Sequence, residues 1–227
     1  IFDMWNGQNS SSADYGHLRI ELTGNVADGS DPILLTVLSG TTGFFRQPIA
    51  ASTFTSASLA DGNWHHYAVT MRSASLGVTT KFYVDGTLNK TTTLGSIGVN
   101  NISTPGLRAN LGALVTAISG TTTPSVTAAG DGKLSGSLDE FRYWKTQRTS
   151  KQIGRYWFTQ VGGGVNTDPT PYIETKDLAN VNLGVYFKFN EGITGVAATD
   201  STVLDYSGRS SNGTWTGYTV GAKNTGS

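Results

Sequence analysis

Two neighbouring runs of the sequence decide the fold: Asp61-Gly62-Asn63-Trp64-His65-His66-Tyr67-Ala68-Val69-Thr70 and Lys81-Phe82-Tyr83-Val84-Asp85-Gly86. From Trp64 to Met71, successive side chains alternate between two faces, and one of these faces is apolar. Asp85-Gly86 predicts a type I′ turn, because this dipeptide tolerates positive φ at both central positions. Thr87–Lys90 would then run back antiparallel. Together the two runs predict a half-buried antiparallel sheet.

The same alternation recurs in short runs that are separated by Gly, Ser, Thr, Asn and Asp. These runs predict further strands at His17–Leu22, Ile33–Leu38, Leu107–Val115, Leu134–Lys145, Leu183–Phe189 and Thr214–Val220. One short helix is predicted near 149–156, because Thr149 can cap it and Gln152 can complete a capping box. Many strands with one minor helix predict an all-β fold, an antiparallel β-sandwich or a barrel.

Composition and charge exclude several classes of protein. The 227 residues include 16 Lys+Arg and 16 Asp+Glu, so the formal net charge is zero. Nucleic acids and anionic membrane surfaces favour a positively charged partner, so we expect neither to be the main partner. No apolar stretch approaches the roughly 18 residues that span a bilayer, so we expect no membrane insertion. Cysteine is absent, which excludes disulfides and thiolate chemistry.

The Asp-Gly-x-Trp-His-His run and the Phe-Tyr-Val-Asp-Gly hairpin resemble the laminin G-like domains of the concanavalin A-like lectin and glucanase superfamily. Gly136–Trp144 and Arg148–Ile153 resemble that family's late strand and short helix, in the same order. Leu183–Trp215 resembles a segment that flanks such domains in large structural proteins of marine tailed bacteriophages. The resemblance implies an antiparallel jelly-roll sandwich of the concanavalin A-like type.

The resemblance also implies a division of the chain into three parts. Residues 1–159 would form the laminin G-like sandwich, with strands missing on its N-terminal side. Residues 160–182, which are rich in Gly and Pro, predict a loop or linker. Residues 183–227 would supply strands that complete or flank the sandwich.

We expect no enzymatic activity. Glycoside hydrolysis needs two carboxylates about 5 to 9 Å apart, and Asp139-Glu140 is the acidic pair predicted on a core strand. Adjacent residues of a strand point to opposite faces, and Phe141–Trp144 do not continue the Glu-x-Asp-x-x-Glu strand of the superfamily's glucanases. We interpret Asp139 as a partly buried carboxylate that accepts backbone N–H groups. His65 and His66 also diverge, and we interpret both as packing and hydrogen-bonding residues.

A calcium site is predicted in one polar loop. The resemblance implies binding at loop rims, in some relatives with Ca²⁺, which takes about six to eight oxygen ligands. Asn25, Asp28 and Asp31 form an oxygen-rich loop between two strands. The alternative is ordinary turn chemistry. Asp200 with Asp205 forms a second, weaker oxygen group.

Sugar recognition usually stacks an aromatic ring on the pyranose and adds planar polar groups. Candidate residues lie in or beside polar loops: Trp5 with Asn6, Phe44 and Phe45 with Arg46, and Trp215 with Tyr218. The alternative for each aromatic residue is a place in the core of the sandwich.

The expected function is a non-catalytic carbohydrate-binding or adhesion module of a virion-surface or fibre structural protein, located on the virion surface or outside the cell. Its partners would be a glycan or a host cell-surface polysaccharide, together with other copies or virion proteins. Two alternatives stay open: a lectin-like module of a bacterial secreted glycosidase or adhesin, and a purely structural sandwich that joins subunits.

Overall fold

The computed structural model describes residues 1–9, 12–22, 31–74, 77–95, 106–114, 132–161 and 182–216. The chain divides into two compact units, Ile1–Ser135 and Gly136–Ser227. Antiparallel strands predominate in the described part of the first unit, whereas the second unit combines short antiparallel strands with short helices. In the described part of the chain, no helix is long and apolar enough to cross a membrane.

The described part of the first unit contains one short helix and eight strands: β1 (Phe2–Trp5), β2 (Gly16–Leu22), β3 (Ile33–Ser39), β4 (Thr42–Pro48), α1 (Ser56–Leu59), β5 (Tyr67–Ala74), β6 (Gly77–Val84), β7 (Thr87–Leu94) and β8 (Arg108–Leu111). Five strands form one antiparallel sheet in the order β4-β3-β2-β1-β8. β1 is therefore paired on both sides. β3 is buried along nearly its whole length, as its continuous apolar sequence predicts.

β5, β6 and β7 form a second antiparallel sheet. Between β6 and β7, Asp85 has φ 47° and Gly86 has φ 75°, which confirms the predicted turn with positive φ at both central positions. β5 begins at Tyr67 rather than at Trp64, because the residues before it form a hydrogen-bonded loop. The predicted hairpin is thus present, with its first strand shifted toward the C-terminus.

The two sheets of the first unit enclose an apolar core. The ring of Phe54, which follows β4, packs edge-on against Phe82 of β6 with centroids 5.5 Å apart. Tyr67 stacks on the same Phe82 ring at 6.1 Å. Ile33 and Val37 of β3 are completely buried. The predicted fold class, an all-β antiparallel sandwich, is confirmed.

The second unit contains β9 (Phe141–Trp144), α2 (Ser150–Tyr156), β10 (Leu183–Phe187), α3 (Ala197–Asp200), β11 (Thr202–Val203) and β12 (Gly213–Thr214). β9 pairs with β10, and β11 pairs with β12, both antiparallel. One buried hydrophobic cluster of this unit contains Val161, Leu183 and Tyr186.

Helix α2 confirms the predicted capping box. Thr149 Oγ1 accepts a hydrogen bond from Gln152 N at 3.2 Å, and Gln152 Oε1 accepts one from Thr149 N at 2.9 Å. The expectation of a single helix was wrong, because α1 and α3 add two four-residue helices. Each is about one turn long, too short to produce a helical period in the sequence.

Four predicted strands are shorter than expected within the described residues. Of the described part of the run Leu107–Val115 only Arg108–Leu111 is a strand, and of the described part of the run Thr214–Val220 only Thr214 belongs to one. The run from Leu134 becomes a strand only at Phe141, because Glu140 has φ 53° and is not extended. The run from Leu183 ends at Phe187, and Phe189 has φ 52°.

The predicted domain boundaries stay predictions. Most of the predicted loop at 160–182 lies outside the described residues. β9, in the first predicted part, pairs with β10, in the third.

Candidate functional site

Residues 61–66, which we call the rim loop, present an exposed tryptophan. Trp64 is 69% exposed, a high value for so large an apolar side chain. Asp61 shapes the loop, because its Oδ1 accepts a hydrogen bond from Asn63 N at 2.9 Å and its Oδ2 accepts one from Asn63 Nδ2 at 3.1 Å. An indole ring beside a carboxylate and an amide can stack on a sugar ring and hydrogen-bond its hydroxyl groups.

His65 joins the rim loop to the turn between β6 and β7. Its Nε2 lies 2.9 Å from Asp61 Oδ2, and its Nδ1 lies 2.8 Å from Asp85 Oδ2. The other oxygen of Asp85 accepts a hydrogen bond from His66 N at 2.8 Å, and Asp85 N donates to His66 O at 2.9 Å. We call Asp61, His65 and Asp85 the histidine bracket. It fixes the residues on both sides of Trp64.

The histidine bracket favours a charged imidazolium between two carboxylates. Hydrogen bonds to Asp85 and Asp61 raise the pKa of His65 above its ordinary value. The Asn63 N–H, followed by the His65 ring, lowers the pKa of Asp61 to about 2. Partial burial of Asp85 works in the other direction, but its hydrogen bonds with His65 and His66 hold its pKa below the usual value.

A second polar cluster lies on one face of the five-stranded sheet. His17 Nε2 contacts Asp3 Oδ1 at 2.7 Å, and Arg19 Nε lies 3.5 Å from the same oxygen. Arg19 Nη1 donates to Glu21 Oε2 at 3.1 Å, and Arg46 Nε contacts Glu21 Oε1. We call these five residues the ion-pair row. Asp3 is 0% exposed and Arg19 is 2% exposed, so most of the row is closed to solvent.

The sequence interpretation missed the ion-pair row. The signal was present, because His17, Arg19 and Glu21 alternate with Leu18, Ile20 and Leu22 in β2. Such alternation indicates that the three polar side chains share one face. It does not reveal that Asp3 pairs with Arg19 across the β1–β2 ladder. Each buried charge in the row lies beside an opposite charge, so removal of one partner would leave another charge uncompensated.

The comparisons with known proteins identify the family. A laminin G family model, described as "Concanavalin A-like lectin/glucanases superfamily", matches residues 3–154. The chain belongs to this family. No curated protein and no solved structure matches the chain significantly.

The laminin G-like match includes the rim loop, the histidine bracket and the ion-pair row. It confirms the resemblance carried by the Asp61–Thr70 run. Membership of this lectin and glucanase superfamily supports a module of carbohydrate-binding type.

Within the laminin G-like domain, Trp5 and Asn6 lie at the end of β1. Trp5 is half-buried, and its Nε1 donates to Gln8 O at 2.8 Å. Asn6 is buried; its Oδ1 accepts from Gly16 N at 3.0 Å, and its Nδ2 donates to Asp14 O at 2.6 Å. Both ends of the Asn6 amide therefore bind backbone groups. Asn6 is not part of the proposed site.

Phe44, Phe45 and Arg46 lie in β4 and are all half-buried. A bulge interrupts the β3–β4 ladder there, and Arg46 has φ 49°. Arg46 N donates to Thr36 Oγ1 at 3.1 Å, while its guanidinium contacts Glu21 in the ion-pair row.

The predicted pair Trp215 and Tyr218 is only partly described. Trp215 is half-buried, and its ring lies 5.4 Å from the ring of Phe189 at an angle of 45°. Tyr218 lies outside the described residues. The structure therefore places Trp215 against another aromatic side chain, in the second unit.

Of the predicted calcium ligands, Asn25 and Asp28 lie outside the described residues. Asp31 is half-buried, and its Oδ1 lies 3.9 Å from Lys90 Nζ. Asp31 is the one predicted calcium ligand among the described residues, and the Lys90 ammonium group already provides positive charge beside it. Among the described residues, no group of three or more His, Asp or Glu side chains is placed to hold a metal ion.

Asp200 and Asp205, the second predicted oxygen group, accept hydrogen bonds from the backbone. Asp200 Oδ1 accepts from Thr194 N at 2.7 Å and its Oδ2 accepts from Gly195 N at 3.0 Å. Asp205 accepts from four donors: Tyr186 N, Ser207 N, Ser207 Oγ and Ser211 N. Burial alone would raise the pKa of Asp205, but these hydrogen bonds keep it below its usual value. Both carboxylates therefore organise loops of the second unit.

Asp139 and Glu140 precede β9 and are not part of a strand. The expectation of a partly buried Asp139 was wrong, because Asp139 is exposed, although its Oδ1 does accept a hydrogen bond from Glu140 N at 2.9 Å. Glu140 Oε2 accepts from Arg142 Nη2 at 2.8 Å and from Tyr186 Oη at 2.6 Å. Glu140 is thus part of a hydrogen-bond network in the second unit.

Proposed function

We propose that this laminin G-like domain is a non-catalytic carbohydrate-binding module that serves adhesion in a virion-surface or fibre structural protein, outside the cell. The observation that carries the proposal is the exposure of Trp64 on a loop whose neighbouring residues are fixed by hydrogen bonds. A rigid, exposed indole binds a sugar ring with little loss of conformational entropy. Family membership supports the same class of ligand.

Desolvation raises the pKa of Asp139 above its usual value, but the carboxylates at the rim loop, in the ion-pair row and at Glu140 fit a binding role better than a catalytic one. Asp61 and Asp85 share one histidine between them. Asp3 and Glu21 are paired with Arg19. Glu140 is paired with Arg142. A general acid in a glycosidase needs a raised pKa, whereas opposite charges nearby favour the ionised carboxylate.

The proposed partner is a glycan or a host cell-surface polysaccharide of low charge, with other copies of the chain or virion proteins as structural neighbours. The formal net charge of zero supports this choice, because strongly charged polysaccharides favour partners of opposite net charge. We also propose that Ca²⁺ binds at Asn25, Asp28 and Asp31. The chelator arm of the glycan screen tests this part of the proposal.

The test is a glycan-array screen of the whole chain, performed once with Ca²⁺ and once with a chelator. We expect Trp64→Ala to weaken binding of the best glycan about tenfold or more, which corresponds to about 1.4 kcal/mol. Trp64→Phe should retain part of the affinity because it keeps an aromatic ring. The matched control is Phe158→Ala, since Phe158 is 68% exposed but lies in the second unit.

Each outcome of the screen has a distinct meaning. Loss of binding in chelator would support the calcium part of the proposal and would make Asp31 the first described residue to mutate. Equal weakening by Trp64→Ala and Phe158→Ala would overturn the assignment of the rim loop. Absence of glycan binding in both conditions would overturn the carbohydrate-binding function, and strong self-association in sedimentation would then favour a sandwich that joins subunits.

A further inference from the structure

The histidine bracket places both ring nitrogens of one imidazole against carboxylate oxygens, at 2.8 Å and 2.9 Å. A neutral imidazole carries one N–H donor and one lone pair, whereas an imidazolium carries two donors. Both carboxylates are acceptors when ionised, so only the imidazolium satisfies both contacts at once. Loss of one proton from His65 therefore places a lone pair against a carboxylate and removes one of the two contacts.

The position of the bracket in the chain connects this proton to the rim loop. Asp61 belongs to the loop, and Asp85 belongs to the turn between β6 and β7. Trp64 lies between Asn63, which is bonded to Asp61, and His65, which is bonded to both aspartates. Apart from this bracket, the loop is tied to the turn through the backbone of His66. The His65 proton thus controls one of the contacts beside the indole, in addition to the backbone bonds of His66.

We propose that protonated His65 is a pH-sensitive latch that holds the rim loop against the β6–β7 turn, so that glycan binding through Trp64 is strong in mildly acidic solution and weakens in alkaline solution. This inference rests on the proposed carbohydrate-binding function. The latch itself can be measured without any glycan.

The direction of the pH dependence follows from the groups that face His65. These groups are Asp61, Asp85, the ring of Tyr67 with its centroid 6.1 Å from the imidazole, and the neighbouring His66. The two carboxylates raise the pKa of His65 above 6.5, so the latch is closed below that pH and opens as the pH rises through the raised value. Burial raises the pKa of Tyr67 above 10, so Tyr67 keeps its proton across this range.

The first experiment follows the His65 ring and the Trp64 indole N–H by NMR from about pH 5 to about pH 9. We expect the imidazole of His65 to titrate above its ordinary value and the Trp64 signal to move with the same midpoint. Asp85→Asn should lower that midpoint, because one carboxylate charge is removed. A midpoint at or below the ordinary value for histidine, or a Trp64 signal that does not follow it, would overturn the latch.

The second experiment measures binding of the best uncharged glycan from the screen at about pH 6 and about pH 9. We expect affinity to fall about fivefold or more for the unmodified chain, within the usual range of coupling between sites. His65→Gln should remove the pH dependence, and the control His66→Gln should retain it. Glycan binding that does not change with pH overturns the latch but leaves the proposed function standing. Absence of glycan binding removes the proposed function, and the NMR titration then decides the latch alone.

Discussion

Two histidine side chains of the domain contact aspartates in opposite environments. His17 and Asp3 lie on a face of the five-stranded sheet where both side chains are almost completely buried. His65 lies between Asp61 and Asp85 at the edge of the second sheet, where the side chains of the three residues are 21 to 35% exposed. The contact distances are nearly the same, but the surroundings give them different physical consequences.

In the buried contact, the charge of Asp3 must be balanced within the protein. The formal charges of Asp3, Glu21, Arg19 and Arg46 cancel, and His17 contacts the same Asp3 oxygen as Arg19. At the rim, water screens the charges, and the contacts of His65 need two donors. The buried arrangement therefore contributes to stability, whereas the exposed arrangement can respond to pH.

The largest effect should come from removing the buried carboxylate. Asp3→Ala removes a buried carboxylate that both His17 and Arg19 contact, and we expect the free energy of unfolding to fall by about 3 to 5 kcal/mol. Denaturant titration measures this loss. Asp14→Ala is the matched control, because Asp14 is an exposed aspartate in the turn before β2, and its effect should stay within about 0.5 kcal/mol. Equal effects of the two substitutions would contradict the burial argument.

A smaller effect is expected when the rim loses one charge. Asp85→Asn keeps an oxygen for His66 N and a residue type that tolerates the positive φ of this turn. It removes one of the two carboxylates beside His65, and partly exposed ion pairs contribute about 0 to 1 kcal/mol. The same denaturant titration should therefore show a loss within that range. A loss as large as that of Asp3→Ala would show that the bracket is a major source of stability.

The smallest effect is the response to salt. Raising the ionic strength from about 0.1 M to about 1 M shortens the Debye length from about 10 Å to about 3 Å. The difference in unfolding free energy between Asp85→Asn and the unmodified chain should then shrink toward zero. The difference for Asp3→Ala should change little, because its partners are closed to solvent. Similar salt dependence of both differences would remove the contrast between the two histidines.

Local features of the fold could be predicted from the sequence because their causes are local. The Asp85-Gly86 turn depends on two residues that tolerate positive φ, and the cap of α2 depends on side chains three residues apart. The all-β fold class follows from the alternation of apolar and polar residues over short stretches. Each of these signals is complete within a short stretch of chain.

The candidate site could be predicted only in part because its contacts are not local. His65 follows Asp61 by four residues, but Asp85 reaches it only through the pairing of β5 with β6. The alternation of His17, Arg19 and Glu21 indicates a polar face, yet Asp3 joins them only through the β1–β2 register. The alternation from Trp64 to Met71 predicts a strand but does not mark where that strand begins. The sequence therefore does not reveal that Trp64 lies in the loop before β5 and is exposed.

β1 pairs with β2 on one side and with β8 on the other, and Phe2 lies opposite both Ile20 and Leu111. Without β1, β2 would stay paired with β3 but lose the partner on its other edge, and β8 would lose its partner in this sheet. Unpaired strands are templates for association with other chains. For this domain, loss of β1 would thus open one edge on β2 and one on β8, and each could associate with another chain.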